Sequence, residues 1–573
     1  MFNSLTRRDF LKYLGLGSVS AAAASVLAAC ASGDDEGAAQ NIVVDATVAD
    51  STSEDYLKVE GETTVVVGEV DETKKTTTTG MNPEERAELF RVACLKTPTN
   101  LNPWSSGDHK QYACECLCDW VNAEYQPRLL ESYETIDGQY SIAKLKNYIY
   151  DWDGNNITAD DVVFVYNTYV EGSHTMKFQA YDSCEKVDEY TVKFNWKPEE
   201  YKTVGALEKI WCDPVIFSQK AFEERNFAAD PCYTAPYKIT NYIDGNIMEF
   251  EANDDYWETD ESKLSVLQHR PVQHFELDVI AEATQHVIAL QNDSIDFSAS
   301  VATENLVYFQ EGGEYAENYG VAIMPAGNVY YMLPNFYEGH FTADINFRLA
   351  CYYAIDNPSI ARAVGSSIAL TAFANDQTVD TLDPWFTQET YINTYNADLA
   401  KEYLAKTNYK GETIYLLGAS NEIIKNTTQT VQVLLEAIGV KAELKLLDNS
   451  IVNTTQKDPS QWDFYFNWMG GSLWTGAINT QYEQNKYPDI DPLMCNGFLR
   501  DDDLIAKFKL ARTVEGHTEE NIDAVYQHII ENAYQYGIFC SLNNLVYNKQ
   551  KCASVYMLNG NDPKPIASAY YID

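Results

Sequence analysis

The hydrophobic pattern changes character three times along the 573-residue chain. An uncharged run from Tyr13 to Ala29 is apolar without a period. It is shorter than the ~20 apolar residues a membrane span needs, and it is rich in Gly, Ser and Ala. Residues 31–87 are dominated by Asp, Glu, Thr, Gly and Ala and reach Thr76-Thr77-Thr78-Thr79-Gly80. From Leu89 onward strand and helix periods mix. Tyr190-Thr191-Val192-Lys193-Phe194-Asn195-Trp196 alternates as a half-buried strand does. Val431 to Ile438 carries helical spacing with Gly439 as its stop, and Val440 to Leu446 alternates again. Thr158 followed by Asp160 and Asp161 predicts a helix start. The Thr158 hydroxyl is expected to accept from first-turn amides, and the carboxylates favour the positive end of the dipole. No period of roughly 20 to 50 residues recurs, which excludes a repeat architecture.

The order of signals at the start gives the apolar run its meaning. Thr6-Arg7-Arg8-Asp9-Phe10-Leu11-Lys12 precedes it, and Leu27-Ala28-Ala29-Cys30 closes it. A twin-arginine export motif, an apolar stretch and a lipobox in that order predict a lipoprotein signal peptide over 1–30. Cys30 would be acylated and become the mature N-terminus, on the outer face of a cytoplasmic membrane. One acyl chain binds weakly, so stable anchoring implies more than one. Residues 31–87 read as an acidic Thr/Gly-rich tether with a reach of roughly 40 Å. Thr63-Thr64-Val65-Val66-Val67-Gly68-Glu69-Val70 inside it is either tether or a short strand.

About 540 residues follow the leader, too many for one core. Apolar content of 45% and aromatic content of 13% fit a globular chain, and the length suits two or more lobes. The net charge of −44 rules against nucleic acid, whose phosphates are bound by Lys and Arg. Of twelve cysteines, Cys30 is assigned to lipid, leaving an odd number. Cys114-Glu115-Cys116-Leu117-Cys118 lacks the C-x2-C spacing of zinc sites. A helix there would put Cys114 and Cys118 on one face with Cys116 turned away.

Lys144-Leu145-Lys146-Asn147-Tyr148-Ile149-Tyr150-Asp151-Trp152-Asp153-Gly154, continuing into Thr158-Ala159-Asp160-Asp161-Val162, resembles a signature of the family 5 extracellular solute-binding proteins, receptors of ABC importers. Tyr148 stands where glycine is usual. Further blocks stand along the chain in family order, two of them ahead of this signature. They are Thr97-Pro98-Thr99-Asn100-Leu101-Asn102-Pro103, then Leu129-Leu130-Glu131-Ser132-Tyr133-Glu134, then Ala235-Pro236-Tyr237-Lys238-Ile239. Glu251-Ala252-Asn253-Asp254-Asp255-Tyr256-Trp257 and Phe341 to Ala350 with Tyr353-Ala354-Ile355-Asp356 complete the series. The resemblance implies a two-lobed α/β fold of the periplasmic-binding-protein type (type II, the large family 5 variant) with a hinged ligand cleft. Residues 88–328 and 540–573 would form lobe I, and 329–539 lobe II. It further implies capture of an oligopeptide or peptide-like solute by lobe closure, and delivery to an ABC permease with its ATPase. A monomer is expected, with no cofactor.

The resemblance also marks candidate ligand residues. The family's peptide receptors hold an α-amine with an aspartate after a "G-W-x-x-D" turn, and here Phe466-Asn467-Trp468-Met469-Gly470-Gly471-Ser472-Leu473-Trp474 occupies that stretch. Trp468 matches, while Gly471 replaces the carboxylate. The loop before the helix ending at Gly439 reads Gly418-Ala419-Ser420-Asn421-Glu422, without the arginine that would bind a peptide C-terminus. Trp468, Gly470, Gly471, Ser472, Trp474, Ser420 and Asn421 are therefore the candidate ligand contacts. Tyr237 and Arg348 are further candidates, Arg348 alternatively forming a structural ion pair. Leaving a buried terminal charge unpaired costs several kcal/mol, so free dipeptides held by both ends are disfavoured. Glu422 or Lys425 would supply a charge from a shifted position. Longer peptides, sugar-like or apolar faces and metal complexes stay open. None of the eight histidines forms an H-x-x-x-H pair, and His269 and His274 are expected at the surface. The sequence lacks H-E-x-x-H, a phosphate loop and, beyond the leader, a G-x-S-x-G turn. A binder is thus the expectation over a secreted hydrolase, although counting carboxylates leaves glycoside hydrolysis open.

Overall fold

The structure, a computed structural model, describes residues 78–569 apart from 122–123, 137, 175–179, 199–209, 366–367, 370–394, 471–488, 492–493, 553–554, 556 and 559–561. The signal peptide, Cys30, the segment Thr63–Val70, Gly471, Ser472 and Trp474 lie outside the described residues. The chain forms two compact units. The first takes the described residues up to Met324, with Thr513–Glu515 and the chain from Asn543 on. The second takes Pro325–Arg512 and Gly516–Leu542.

In the first unit the end of the expected tether is already docked. Thr79 accepts from the Arg270 amide at 2.9 Å, and Arg86 pairs with Asp254 at 2.5 Å. Gly80 sits at φ +66°, where a Cβ would lie 1.8 Å from the Arg270 carbonyl oxygen, so only glycine fits. Strand β1 (Ala87–Cys94) pairs in parallel with β8 (Val272–Val279) on one side and with the short β9 (Phe297–Ser298) on the other. Beyond β8 the sheet continues as an antiparallel meander through β7 (Ile247–Ala252) and β6 (Tyr237–Ile243). A separate antiparallel sheet holds β2 (Leu130–Ile136), β3 (Tyr140–Leu145), β4 (Tyr181–Asp188) and β5 (Thr191–Trp196). Val192, Phe194 and Trp196 of β5 are buried and their neighbours half-buried, as the alternation predicted.

Helix α1 (Ala159–Glu171) starts where Thr158 predicted, with a reciprocal capping box: the Thr158 side chain accepts from the Asp161 amide and the Asp161 side chain accepts from the Thr158 amide. Asp161 accepts from the Thr158 amide at 2.8 Å and from the Thr158 hydroxyl at 2.9 Å. It also accepts from the Gln219 amide at 2.8 Å, tying the helix start to a second segment.

The cysteine cluster is not helical. The local helix ends at Ala113, and Cys114 is extended (φ −125°, ψ 148°), so the three thiols do not share helical geometry. Among the described residues ten cysteines, these three included, are thiols outside any disulfide. Glu115 between them is fully buried and accepts from Thr234 at 2.8 Å, Tyr256 at 2.7 Å and Trp257 at 3.0 Å. Arg128 lies 3.5 Å from Glu115 and 2.9 Å from Asp119. Burial raises the Glu115 pKa, against the opposing pull of the guanidinium and these donors. His269 and His274 are half-buried, not surface groups, because His274 lies within β8 between Leu89 and Glu251.

Four neighbouring strands run side by side in the second unit. Strand β10 spans Tyr319–Pro334, the chain entering the unit at Pro325. Strands β11 (Ile414–Ala419), β12 (Ala442–Leu447) and β13 (Phe464–Gly470) are mutually parallel in the order β12-β11-β13, and β13 pairs antiparallel with β10. Helix α2 (Ile345–Tyr353) carries Arg348. Helix α3 (Glu422–Ala437) buries Ile424, Thr427, Thr428, Val431 and Leu435 on one face and is followed by Gly439 at φ +95°. Asn421 caps it by accepting from the Ile424 amide at 3.1 Å.

His109, fully buried in the first unit, gives a pH prediction. Burial, and then the charge of Lys110, lower its pKa to about 4. The unfolded chain takes up this proton near pH 6.5 and the folded chain only near 4. Stability should therefore fall as the pH drops from about 6.5 to about 4, by on the order of 3 kcal/mol. Melting temperatures across that window should show a shallower fall for His109→Phe than for the parent. Equal slopes would show that His109 does not contribute to the acid sensitivity.

Candidate functional site

Three parallel strands point their carboxyl ends to one edge of the second unit's sheet. In open α/β sheets that edge is where ligands bind. The register aligns the predicted residues there. Gly418 is paired with Phe466, so Ser420 and Trp468, each two residues further on, stand at the same level. Gly418 lets α3 approach β11: a Cβ would sit 2.7 Å from the Ile424 side chain.

Trp468 is 49% exposed although it belongs to an interior strand. Its cross-strand partner on β10 is Tyr330, which is buried and stacks on Phe539 at 4.6 Å with 9° between planes. The indole thus stands in solvent beside a fixed aromatic pair. Ser420 is exposed, and its amide donates to the Leu447 carbonyl at 2.9 Å. Its hydroxyl makes no hydrogen bond among the described residues. Asn421 is exposed but spends its side-chain oxygen on the helix cap. Gly470 closes β13 opposite Asn328. Glu422 and Lys425, the proposed shifted charges, are both exposed on the first turn of α3.

Asp448 and Tyr330 belong to the same edge but were not singled out from the sequence. Asp448 comes directly after β12 and is exposed. Its signal was its position just after the predicted strand Val440–Leu446. Tyr330 has no local signal, since only the β10–β13 pairing brings it opposite Trp468.

Tyr237 and Arg348 take structural places instead. Tyr237 lies in the other unit, is 2% exposed, and donates its hydroxyl proton to the Val272 carbonyl at 2.9 Å. It joins β6 to β8 and has no face toward solvent. Arg348 is 4% exposed and pairs with no carboxylate among the described residues, contrary to the expected ion pair. Its guanidinium donates to four backbone carbonyls: Thr342 at 2.8 Å, Ala343 at 2.9 Å, Asn532 at 2.7 Å and Ala533 at 3.0 Å. It binds the start of α2 to the turn before β14 (Tyr536–Asn548).

The edge offers an aromatic face, a hydroxyl and carboxylates of both α3 and the β12 end. This suits stacking and polar recognition of a solute. Among the described residues no group of three or more His, Cys, Asp or Glu is placed to hold a metal ion.

The model of the bacterial extracellular solute-binding proteins, family 5 Middle, matches residues 124–487, more than half of the chain. The oligopeptide-binding protein AppA of Bacillus subtilis is 25% identical over 375 residues, covering 61% of this chain and 65% of its own length, just under two thirds. Three solved structures share the fold. The ABC transporter substrate-binding protein CtaP of Listeria monocytogenes gives a TM-score of 0.69 at 18% identity, covering 85% of this chain and 100% of its own. Bacillus subtilis AppA in complex with a nonapeptide gives 0.63 at 19%, with 85% and 100% covered. NikZ of Campylobacter jejuni in complex with Ni(L-His) gives 0.63 at 19%, with 81% and 94% covered.

The carbonyl cluster around Arg348 predicts a stability effect. Lysine keeps the charge but loses the planar fork that serves four acceptors. Arg348→Lys should cost about 2–4 kcal/mol, because buried carbonyls are left unpaired. Denaturant unfolding will read this directly, and a cost below about 0.5 kcal/mol would show the clamp to be dispensable.

Proposed function

The chain belongs to the bacterial extracellular solute-binding proteins of family 5, and from that premise we propose that it captures an oligopeptide or peptide-like solute for an ABC importer. The observation that carries this reading is the half-exposed Trp468, level with Ser420 at the carboxyl edge of a rigid sheet. The similarity to an oligopeptide-binding protein supports the peptide class. In this reading the edge forms part of a cleft, and ligand contacts made only by the closed form shift an open–closed equilibrium. A permease with its ATPase reads the closed state, and the receptor acts as a monomer. Relatives that are solute-binding proteins fit a chain that is not an enzyme.

Export in folded form through a twin-arginine signal, followed by acylation of Cys30, completes the proposal. The thiols support it: ten described cysteines lie outside any disulfide, and burial pushes Cys116 up to about 12. Six of the ten are buried, and buried thiols are poor nucleophiles that resist oxidation. A chain folded in a reducing compartment before export would carry them as thiols.

Gly471 favours a second reading, a non-peptide solute or metal complex. Without a carboxylate at that position a free α-amine needs another partner. A long peptide answers through its backbone, or through Glu422, and a non-peptide solute has no such need.

Comparing native with denaturing mass spectra of the purified protein tests both readings. A mixed set of released short peptides is the expected outcome, whereas a single non-peptide mass would replace it with the second reading. Trp468→Ala should weaken binding of the released ligand by about tenfold, the loss of one stacking contact, with an unchanged melting temperature. Undiminished affinity would remove Trp468 from the site.

A further inference from the structure

The second unit contains a cavity at the opposite end of its sheet from Trp468. Pro334 of β10 is paired with Phe464, the first residue of β13, so the chain beyond Pro334 leaves at the strand's start. There a cavity of about 570 Å³ is lined by the rings of Phe336, Tyr337, Phe498 and Tyr534, and by Arg348 and Arg500. This volume lies within the range of small-molecule sites.

The charge arrangement of the lining is incomplete. Arg348 is buried, and no carboxylate lies within 4.0 Å of it among the described residues. Four carbonyls take four of its five N–H groups, leaving one Nη2 hydrogen without an acceptor among the described residues. Carbonyl dipoles solvate the cation but do not neutralise it, and buried charges are ordinarily paired. The rings of Phe336 and Tyr534 cover it at 4.9 and 5.9 Å. The nearby Asp501 carboxylate is already engaged, accepting from Tyr534 at 2.5 Å and the Leu504 amide at 2.9 Å and contacting His528 at 2.8 Å. Arg500 brings a second cation to the rim, half exposed and 3.2 Å from Asp491. Glu338 is the one carboxylate among the described lining residues.

The floor is held in a strained conformation. Gly497 and Phe498 are both left-handed, at φ +71° and +63°. A Cβ on Gly497 would stand 2.7 Å from the Pro334 carbonyl oxygen, and a left-handed phenylalanine is itself costly. The turn sets the Phe498 ring edge-to-face with Tyr337 at 5.9 Å.

We propose that this cavity is a second binding site, for a small organic anion with a carboxylate head and a flat aromatic body. The carboxylate accepts from the remaining Arg348 Nη2 hydrogen and from Arg500. The body lies among Phe336, Tyr337 and Phe498.

Titration calorimetry of the full chain with benzoate, and with benzamide as its neutral isostere, tests the assignment. Benzoate should bind at least about tenfold more tightly than benzamide, the scale of one charge-assisted hydrogen bond. Arg500→Gln should weaken benzoate several-fold, Met494→Trp should abolish binding by filling the cavity, and Trp468→Ala should leave it unchanged. Equal binding of benzamide, loss in Trp468→Ala or no benzoate binding at millimolar concentration would each overturn the proposal. Because Trp468→Ala reports on the other edge, failure here is distinguishable from failure of the solute-capture reading.

Discussion

The candidate site depends on the double pairing of strand β13. Its backbone is bonded in parallel to β11 on one side and antiparallel to β10 on the other, which fixes its register twice over. Asp463, just ahead of it, locks the start. Its carboxylate accepts from the Tyr415 amide at 2.8 Å and contacts His340 at 2.8 Å, while its carbonyl accepts from the Asn335 amide at 2.9 Å. A one-residue slip would turn Trp468 toward the other face and break all these contacts. The exposed indole is therefore held in place by a strand anchored on both sides and at its start.

Each unit also contains a buried charge handled in its own way. In the first, Glu115 gathers three side-chain donors and a guanidinium, a network in which every partner is itself buried. In the second, Arg348 is served by backbone carbonyls. Removing one partner of a buried charge typically costs more than the pair contributes. The difference matters for ligand chemistry. A carboxylate hub with its donors filled is closed, while Arg348 has no carboxylate within 4.0 Å among the described residues and feels Asp344 only from farther away.

The two ends of the second unit's sheet thus carry different chemistry. The carboxyl edge has an exposed indole, an exposed hydroxyl and exposed carboxylates, while the other end has aromatic walls around cationic groups. The net charge of −44 makes the surface hostile to anions at a distance, so recognition of one needs local cations shielded from that field. Arg348, itself buried, is shielded in that sense, whereas Arg500 at the rim is half exposed.

The sequence by itself determined the features set by local periodicity and local chemistry. The alternation of Val192, Phe194 and Trp196, the helix stopped by Gly439, and the α1 start at Thr158 need only side-chain spacing and backbone preference. Trp468, Ser420 and Asn421 were legible because a family motif fixed their order. Tertiary structure decided which of these meet. The fates of Arg348, Tyr237 and the cysteine cluster turned on distant partners or on where an element stops: carbonyls of residues 532–533, the Val272 carbonyl, and a helix that ends at Ala113. The cavity was invisible for the same reason, since its walls come from three segments brought together only by the sheet. Short-range spacing encodes which face a residue shows, whereas hydrogen-bond register across strands encodes what that face meets.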